Sequence, residues 1–361
     1  MISYPLFLVY NQSYHNDAQG ARSFGTVINS IMNRSFQGNK NKSGGKQEEN
    51  MNYTIESREG LKVTVSDLGA EMTGIHLGET EYLWQADPAY WNEHAPVLFP
   101  YVGRLTGGKY RLGDREYQMK IHGFASLSTF EAEKRSENCI AFTLKDSPET
   151  MQMYPFRFLF RVIYTAEGHT LKIRYEVENP GQTPAEDTPG RSANSQSSGA
   201  ADGMLYFGIG GHPGLNVPLE DGLSFDDYYL EFGDRCDSER IQFTPACFLA
   251  GREEPFALED GRILRLRHSL FDEDAIVLQN MADSVSIRSD KGQRSVTVRY
   301  PGLPYLGIWH MPKTDAPYVA IEPWGSLPSR QDIVEDLRFK PDLLRLGSGD
   351  RWHTEWSITV S

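Results

Sequence analysis

A histidine stands in a stretch rich in glycine and proline, residues 206–218, which reads Tyr-Phe-Gly-Ile-Gly-Gly-His-Pro-Gly-Leu-Asn-Val-Pro. The three glycines before His212 let the backbone turn sharply and leave room for another group to approach closely. Pro213 restricts the conformation of His212 and lacks an N–H donor. The stretch predicts an imidazole at the end of a strand, beside open space. A β-bulge whose histidine caps a loop is equally compatible with these residues.

A glutamate ends an apolar segment near the C-terminus, in the sequence Val-Ala-Ile-Glu-Pro-Trp at residues 319–324. A carboxylate in such a segment is costly to bury unless it has hydrogen-bond partners. Desolvation would raise the pKa of Glu322 towards the range that suits a general base.

Two further candidates lie between these positions and the N-terminus. Arg104 follows a glycine in Phe-Pro-Tyr-Val-Gly-Arg-Leu at residues 99–105. The aromatic neighbours predict partial burial, where a guanidinium serves as a rigid donor clamp, although a surface arginine is the alternative. His122, in Ile-His-Gly-Phe, is by itself more typical of a structural histidine than of a catalytic one.

Strands must position these residues, because period-two alternation recurs along the chain and no long segment has a helical period. Glycine-containing turns at residues 113–114 and 166–169 predict hairpins. The predicted strands cover residues 61–65, 110–112, 116–119, 130–132, 140–144, 156–164, 171–178, 229–232, 241–243, 275–278, 284–288, 295–300, 305–310, 318–322 and 353–360. Many short strands with frequent turns predict an all-β fold, a large antiparallel β-sandwich.

The composition limits the possible partners. The 361 residues carry a formal net charge of −13, which disfavours nucleic acid and anionic membranes but not a neutral ligand. The three cysteines form no CxxC pattern, and such an odd, sparse set fits a reducing compartment better than a disulfide framework. They also have no zinc-ligand spacing. The longest apolar run is too short to cross a bilayer and lacks the flanks of a secretory signal. We therefore expect a cytoplasmic protein that binds neither nucleic acid nor membranes.

Four motifs together resemble the aldose 1-epimerase (mutarotase) family, and in particular its bacterial LacX-like branch. They are Phe-Pro-Tyr-Val-Gly-Arg-Leu with Gly-Gly-Lys-Tyr, His-Gly-Phe-Ala, Gly-Gly-His-Pro-Gly-Leu-Asn-Val-Pro and Ile-Glu-Pro-Trp. The resemblance runs from about Tyr53 to the C-terminus. It implies a galactose mutarotase-like β-sandwich with an open sugar-binding cleft and no metal or organic cofactor.

The resemblance also implies roles in the interconversion of sugar anomers, which needs one base and one acid near the ring oxygen. Glu322 would be the base and His212 the acid, while His122 would stabilise charge at the ring oxygen. Arg104 would bind ring hydroxyls, and Trp324 could stack on a sugar face, although the core is the commoner place for tryptophan. The family's substrate-binding aspartate is expected within residues 270–275, and Asp274 is our choice there. The sequence departs from the best-known mutarotases around this aspartate, which bears on hydroxyl specificity.

The leading hypothesis is therefore an aldose 1-epimerase acting on a free hexose, as a monomer or homodimer. A hexose-phosphate 1-epimerase would need a basic cluster, for which the sequence offers only Arg104, Lys109 and Arg330. A non-catalytic carbohydrate-binding protein on the same fold would not require two histidines and a glutamate together.

Two segments stand outside the resemblance. Residues 1–50 are rich in Asn, Ser, Gly, Gln and Lys without a sustained period, which predicts a disordered extension before a domain at 51–361. Residues 183–203 have the composition of a linker but fall between strands of one domain, which predicts an inserted flexible loop.

A chain that begins at Met51 tests the first of these boundaries. We expect it to remain soluble and as active as the full chain, because residues 1–50 contribute little apolar surface to a core. Activity and sedimentation of the two proteins would be compared side by side. Loss of either property in the shorter chain would contradict the assignment.

Overall fold

The computed structural model describes residues 50–181 and 203–361. The predicted extension at 1–50 and the predicted loop at 183–203 fall outside this part of the chain, apart from Asn50 and Gly203. Both assignments therefore stay predictions.

Antiparallel strands make up the described part of the chain, and two large sheets contain most of them. In chain order the strands are β1 (Asn52–Glu56), β2 (Leu61–Ser66), β3 (Met72–Leu77), β4 (Thr80–Glu81), β5 (Val97–Leu98), β6 (Lys109–Leu112), β7 (Arg115–Gln118), β8 (Glu131–Ser136), β9 (Cys139–Lys145), β10 (Leu159–Glu167), β11 (Thr170–Glu178), β12 (Leu205–Phe207), β13 (Gly210–Gly211), β14 (Gly214–Asn216), β15 (Tyr228–Phe232), β16 (Glu239–Phe243), β17 (Leu249–Pro255), β18 (Ile263–Arg265), β19 (Ile276–Gln279), β20 (Ser284–Ser289), β21 (Val296–Arg299), β22 (Tyr305–Trp309), β23 (Tyr318–Trp324), β24 (Leu344–Leu346) and β25 (Arg351–Val360).

The larger sheet has nine strands in the order β18-β15-β20-β21-β25-β11-β10-β9-β8. The second has the order β17-β16-β19-β22-β23-β13-β5, with β14 also paired to β23. Strands β1 to β4 form a four-stranded sheet, and β6-β7 and β12-β24 form two-stranded ones. The prediction of a large antiparallel β-sandwich is confirmed, and both predicted hairpins are present, as β6-β7 and β10-β11.

Helices in the described residues are single turns. A short α-helix covers Thr150–Met153, and 3-10 turns cover Thr106–Gly108, Ala125–Leu127, Phe225–Asp227 and His268–Phe271. Within residues 50–181 and 203–361, no helix has the length and apolar character needed to cross a bilayer.

Alternation explains how the large sheets form one core. In β11, every second residue from Leu171 to Val177 is buried, whereas the residues between them are only partly so. The same core contains Val319 and Ile321 of β23, so the two sheets contribute their inner faces to it.

Strand β23 departs from this alternation, because all seven of its residues are buried. Its second face is covered by smaller apolar clusters at its two ends, one around Tyr318 and one around Trp324. Glu322 lies on this second face and is 1% exposed. A continuous apolar segment with one carboxylate therefore corresponds to a strand that is covered on both sides.

The loop that carries His122 is fastened to the end of β5 through backbone contacts. Gly123 forms a bridge with Phe99, and the carbonyl oxygen of Phe99 accepts hydrogen bonds from the N–H groups of Phe124 and Ala125, at 3.0 and 3.1 Å. Gly123 has a φ of +80°, and a Cβ atom there would lie 2.3 Å from the Phe99 oxygen. Only glycine fits both the conformation and the space.

The substitution Gly123→Ala should therefore lower the free energy of unfolding by about 3 kcal/mol or more, because strain and a backbone clash combine. Gly60→Ala is the matched control, since Gly60 has a φ of +87° but no atom within 4 Å of a built Cβ. We expect it to cost only about 1 kcal/mol. If guanidinium denaturation shows the same loss of unfolding free energy for both variants, the contact with Phe99 does not contribute to the cost of Gly123→Ala.

Candidate functional site

The pairing of β23 brings His212 next to Glu322. Gly210 of β13 and Gly214 of β14 each pair with β23, at positions two residues to either side of Glu322. The register therefore continues through the histidine without an extra residue, which excludes the alternative of a β-bulge. Cross-strand neighbours in one register point to the same face, so the imidazole and the carboxyl group lie side by side.

These two side chains are in direct contact. The Nε2 atom of His212 lies 3.1 Å from Oε2 of Glu322, and the side chains are 11% and 2% exposed. On the other side of β23, Gly307 of β22 is the partner of Glu322. A Cβ atom at Gly307 would lie 3.1 Å from the glutamate Cβ, so this glycine provides space for the carboxyl group.

Burial favours the neutral form of both groups. It raises the pKa of Glu322 well above the usual range of a carboxyl group, and the nearby charge of Asp274 raises it further. Burial also lowers the pKa of His212 well below the usual value, with a smaller contribution from His122. These shifts keep one proton on the Glu322 carboxyl group around neutral pH and leave the His212 imidazole neutral.

His122 is the third titratable group at this position. Its ring centroid lies 5.6 Å from that of His212, and the rings are nearly perpendicular. The Nδ1 atom accepts a hydrogen bond of 3.2 Å from the Gly103 N–H, which assigns the proton of the neutral ring to Nε2. Burial, and then the charge of Arg104, lower the pKa of His122 to about 4. His122 is thus a neutral N–H donor at physiological pH.

Tryptophan side chains form the walls around His212. The rings of Trp91 and Trp309 lie 4.9 and 5.6 Å from the imidazole, and 5.5 Å from each other. Trp324 is only 5% exposed and packs in an apolar cluster at the other end of β23. The aromatic surface beside His212 therefore comes from Trp91 and Trp309, whereas the Trp324 indole lies near the Glu322 carboxyl group and lowers its pKa.

Arg104 differs from its predicted environment, because its side chain is exposed. Its aromatic neighbours Phe99 and Tyr101 are buried in the core, but Gly103, with a φ of +72°, redirects the chain before the arginine. The prediction of partial burial was therefore wrong. The guanidinium lies near enough to the Cys247 thiol to lower its pKa, against the opposing effect of burial.

Asp274 is the hydrogen-bond partner of the same thiol. The Sγ atom of Cys247 donates a hydrogen bond of 2.7 Å to Oδ2 of Asp274. Arg104 and Asp274 thus both lie near Cys247, and the charge of Asp274 acts on Glu322. Among the described residues, no group of three or more His, Cys, Asp or Glu side chains is arranged to hold a metal ion.

The structure brings His122, His212 and Glu322 together, with the charge of Arg104 acting on His122 and that of Asp274 acting on Glu322. The sequence did not indicate Trp91, Trp309, Gly307 or Cys247, which have no local motif. Of these, Gly307 had the clearest signal in the sequence, since a lone glycine inside a strand marks the close approach of another group.

Comparisons with known proteins find relatives in sequence. Residues 51–189 match the model of the aldose 1-epimerase family. The chromosomal protein LacX of Lactococcus lactis subsp. lactis is 33% identical over 317 residues, which cover 85% of this chain and 99% of that protein.

Two solved structures extend the comparison to three dimensions. A galactose mutarotase related enzyme from Lactobacillus acidophilus is 34% identical, with a TM-score of 0.74, covering 86% of this chain and 97% of that one. A galactose mutarotase-like protein from Lactobacillus casei is 28% identical, with a TM-score of 0.75, covering 86% and 100%.

The substitution Glu322→Gln should stabilise the fold at pH 8. A carboxyl group whose pKa is raised by folding contributes stability that is present below pH 4.5 and is lost as the pH rises through the folded pKa. Glutamine avoids this loss, so we expect a gain of roughly 1–3 kcal/mol at pH 8 that shrinks as the pH falls.

Denaturation curves at several pH values would measure this difference. Glu355→Gln, on an exposed position of β25, is the control and should change stability by less than about 0.5 kcal/mol. A Glu322→Gln protein that is less stable than the wild type at pH 8 would contradict the pKa assignment.

Proposed function

Because this chain belongs to the aldose 1-epimerase family, in its LacX-like branch, we propose that it interconverts the α and β anomers of a free hexose. The observation that carries the proposal is the 3.1 Å contact between His212 and Glu322 with His122 beside it. A buried carboxyl group next to two imidazoles is expensive for a binding protein, whereas an acid–base catalyst requires such groups.

In the proposed reaction, the Glu322 carboxylate removes the proton from the anomeric hydroxyl while the His212 imidazolium protonates the ring oxygen. The bond between C1 and the ring oxygen breaks and an aldehyde forms at C1. Rotation about the C1–C2 bond presents the other face of the aldehyde. His212 then takes the proton back from the hydroxyl at C5, Glu322 returns its proton to the carbonyl oxygen, and the ring closes as the other anomer.

The single proton of the neutral pair fits this cycle. In the neutral state the proton resides on Glu322 and the imidazole is free, which is the state that ring opening also produces. Transfer of the proton across the contact creates the carboxylate and the imidazolium together, without exchange with solvent. The site therefore gains its acid and its base in one step, so neither has to hold its charge alone in a buried position.

The remaining residues have supporting roles in this proposal. His122 donates its Nε2–H towards the ring oxygen and stabilises the charge that develops there. Arg104 and Asp274 bind ring hydroxyls as donor and acceptor. Trp309, which is partly exposed, is better placed than the buried Trp324 to contact an apolar sugar face.

Two ion pairs favour a free sugar over a sugar phosphate. Three cations could bind a phosphate, and two of them are already paired. Nζ of Lys109 lies 2.6 Å from Oε1 of Glu116, and Nε of Arg330 lies 2.9 Å from Oε1 of Glu335. Arg104 alone would then face a dianionic phosphate. A phosphate site normally requires several donors that are not already engaged by carboxylates.

Glu322→Gln and His212→Gln should each reduce the rate of anomer interconversion by roughly 10²–10⁴-fold, because each removes a proton-transfer group. Saturation-transfer NMR on aldoses at anomeric equilibrium reports the exchange directly, and Glu355→Gln again serves as the control. Full exchange in the Glu322→Gln protein would remove this glutamate from the mechanism.

The same assay with glucose and glucose 6-phosphate separates the two substrate classes. We expect the unphosphorylated sugar to exchange faster at equal concentration. A clear preference for the phosphate would favour the alternative function, and sugar binding without exchange in the wild type would favour a binding protein.

A further inference from the structure

Cys247 contacts the Asp274 carboxylate, whose charge acts on Glu322. It lies in the turn between β16 and β17, and its φ is +61°. Its hydrogen-bond partner Asp274 lies in the turn before β19, with a φ of +84°. Both are non-glycine residues in the left-handed region, which is uncommon. Two separate turns therefore adopt this conformation where their side chains meet.

The cysteine acts as a hydrogen-bond donor in this contact. Burial raises the pKa of the thiol to about 12, and the hydrogen bond and negative charge of Asp274 contribute in the same direction. The sulfur therefore keeps its proton at physiological pH, although Arg104 lies nearby. A protonated thiol is a poor nucleophile, so the chemistry of a reactive cysteine is excluded here.

The contacts of Asp274 show what the thiol accomplishes. Oδ1 accepts a hydrogen bond of 2.9 Å from the N–H of Ala275, and Oδ2 accepts the one from Cys247. Each carboxylate oxygen can accept a second hydrogen bond. Both oxygens are thus fixed in direction and keep capacity for a ligand, while the nearby Arg104 supplies donors.

We propose that Cys247 is a positioning residue whose thiol fixes the Asp274 carboxylate for binding a sugar hydroxyl. This inference rests on the proposed function. Without the thiol, the Asp274 side chain can rotate away from the direction set by Cys247. A sugar hydroxyl would then no longer meet the Asp274 acceptor and the Arg104 donor together.

The contact itself can be tested without any measurement of activity. In the full-length protein, iodoacetamide labelling of each cysteine at pH 8 would be followed by mass spectrometry. Asp274→Asn removes the negative charge next to the thiol, so we expect Cys247 to react at least about 5-fold faster. Cys139 and Cys236 should react at unchanged rates. An unchanged rate at Cys247 would overturn the proposal.

Kinetics then test the role in binding. Cys247→Ala should raise KM for the sugar about 10-fold and change kcat less than about 3-fold, because the acid–base pair is intact. Cys247→Ser keeps a hydroxyl donor and should recover most of the loss. Cys236→Ala is the control, since the Cys236 thiol donates to the Gly261 carbonyl oxygen, at 3.8 Å, and not to Asp274.

The outcomes distinguish this inference from the function on which it rests. Wild-type protein that exchanges no aldose would overturn the proposed function, and with it the sugar-binding role of Asp274. An active wild type with an unchanged KM in Cys247→Ala would overturn the role of Cys247 alone. An equal fall in kcat for the alanine and serine variants, with KM unchanged, would likewise exclude positioning.

Discussion

The contact between the Glu322 carboxyl group and the His212 imidazole depends on a strand that is covered on both faces. Glu322 is the carboxylate in a strand whose other side chains form parts of three apolar clusters. Those clusters exclude water, and the exclusion of water shifts the pKa values of both groups towards the neutral pair. Packing elsewhere in the sandwich therefore offsets the free-energy cost of burying these two groups.

The sequence predicts the strands well because alternation is a local property. In β11 the period of two marks which residues face the core, and the structure follows it from Leu171 to Val177. The order of strands is not local. Strand β25 at the C-terminus pairs with β11 and β21, and such pairings depend on surfaces that form only in the folded chain. The all-β class was therefore predictable, whereas the strand order was not.

The residues of the candidate site also differ in whether a local sequence signal predicts them. Glycine and proline around His212, and an apolar segment before Glu322, are signals that a sequence contains by itself. Trp309 comes near His212, and Cys247 near Asp274, only through the packing of different strands and turns, so no spacing along the chain indicates them. For Arg104 the sequence signal was misleading. Its buried aromatic neighbours suggested a partly buried side chain, but the chain turns at Gly103 and the side chain is exposed.

The unbroken register around His212 has a consequence for the way this family can vary in length. Both β13 and β14 are anchored to β23, with the histidine between them. One inserted or deleted residue would turn the imidazole to the opposite face or detach one of the two anchors. Length changes, which surface loops absorb easily, should thus be excluded between residues 210 and 216 even where the amino acids themselves are exchanged.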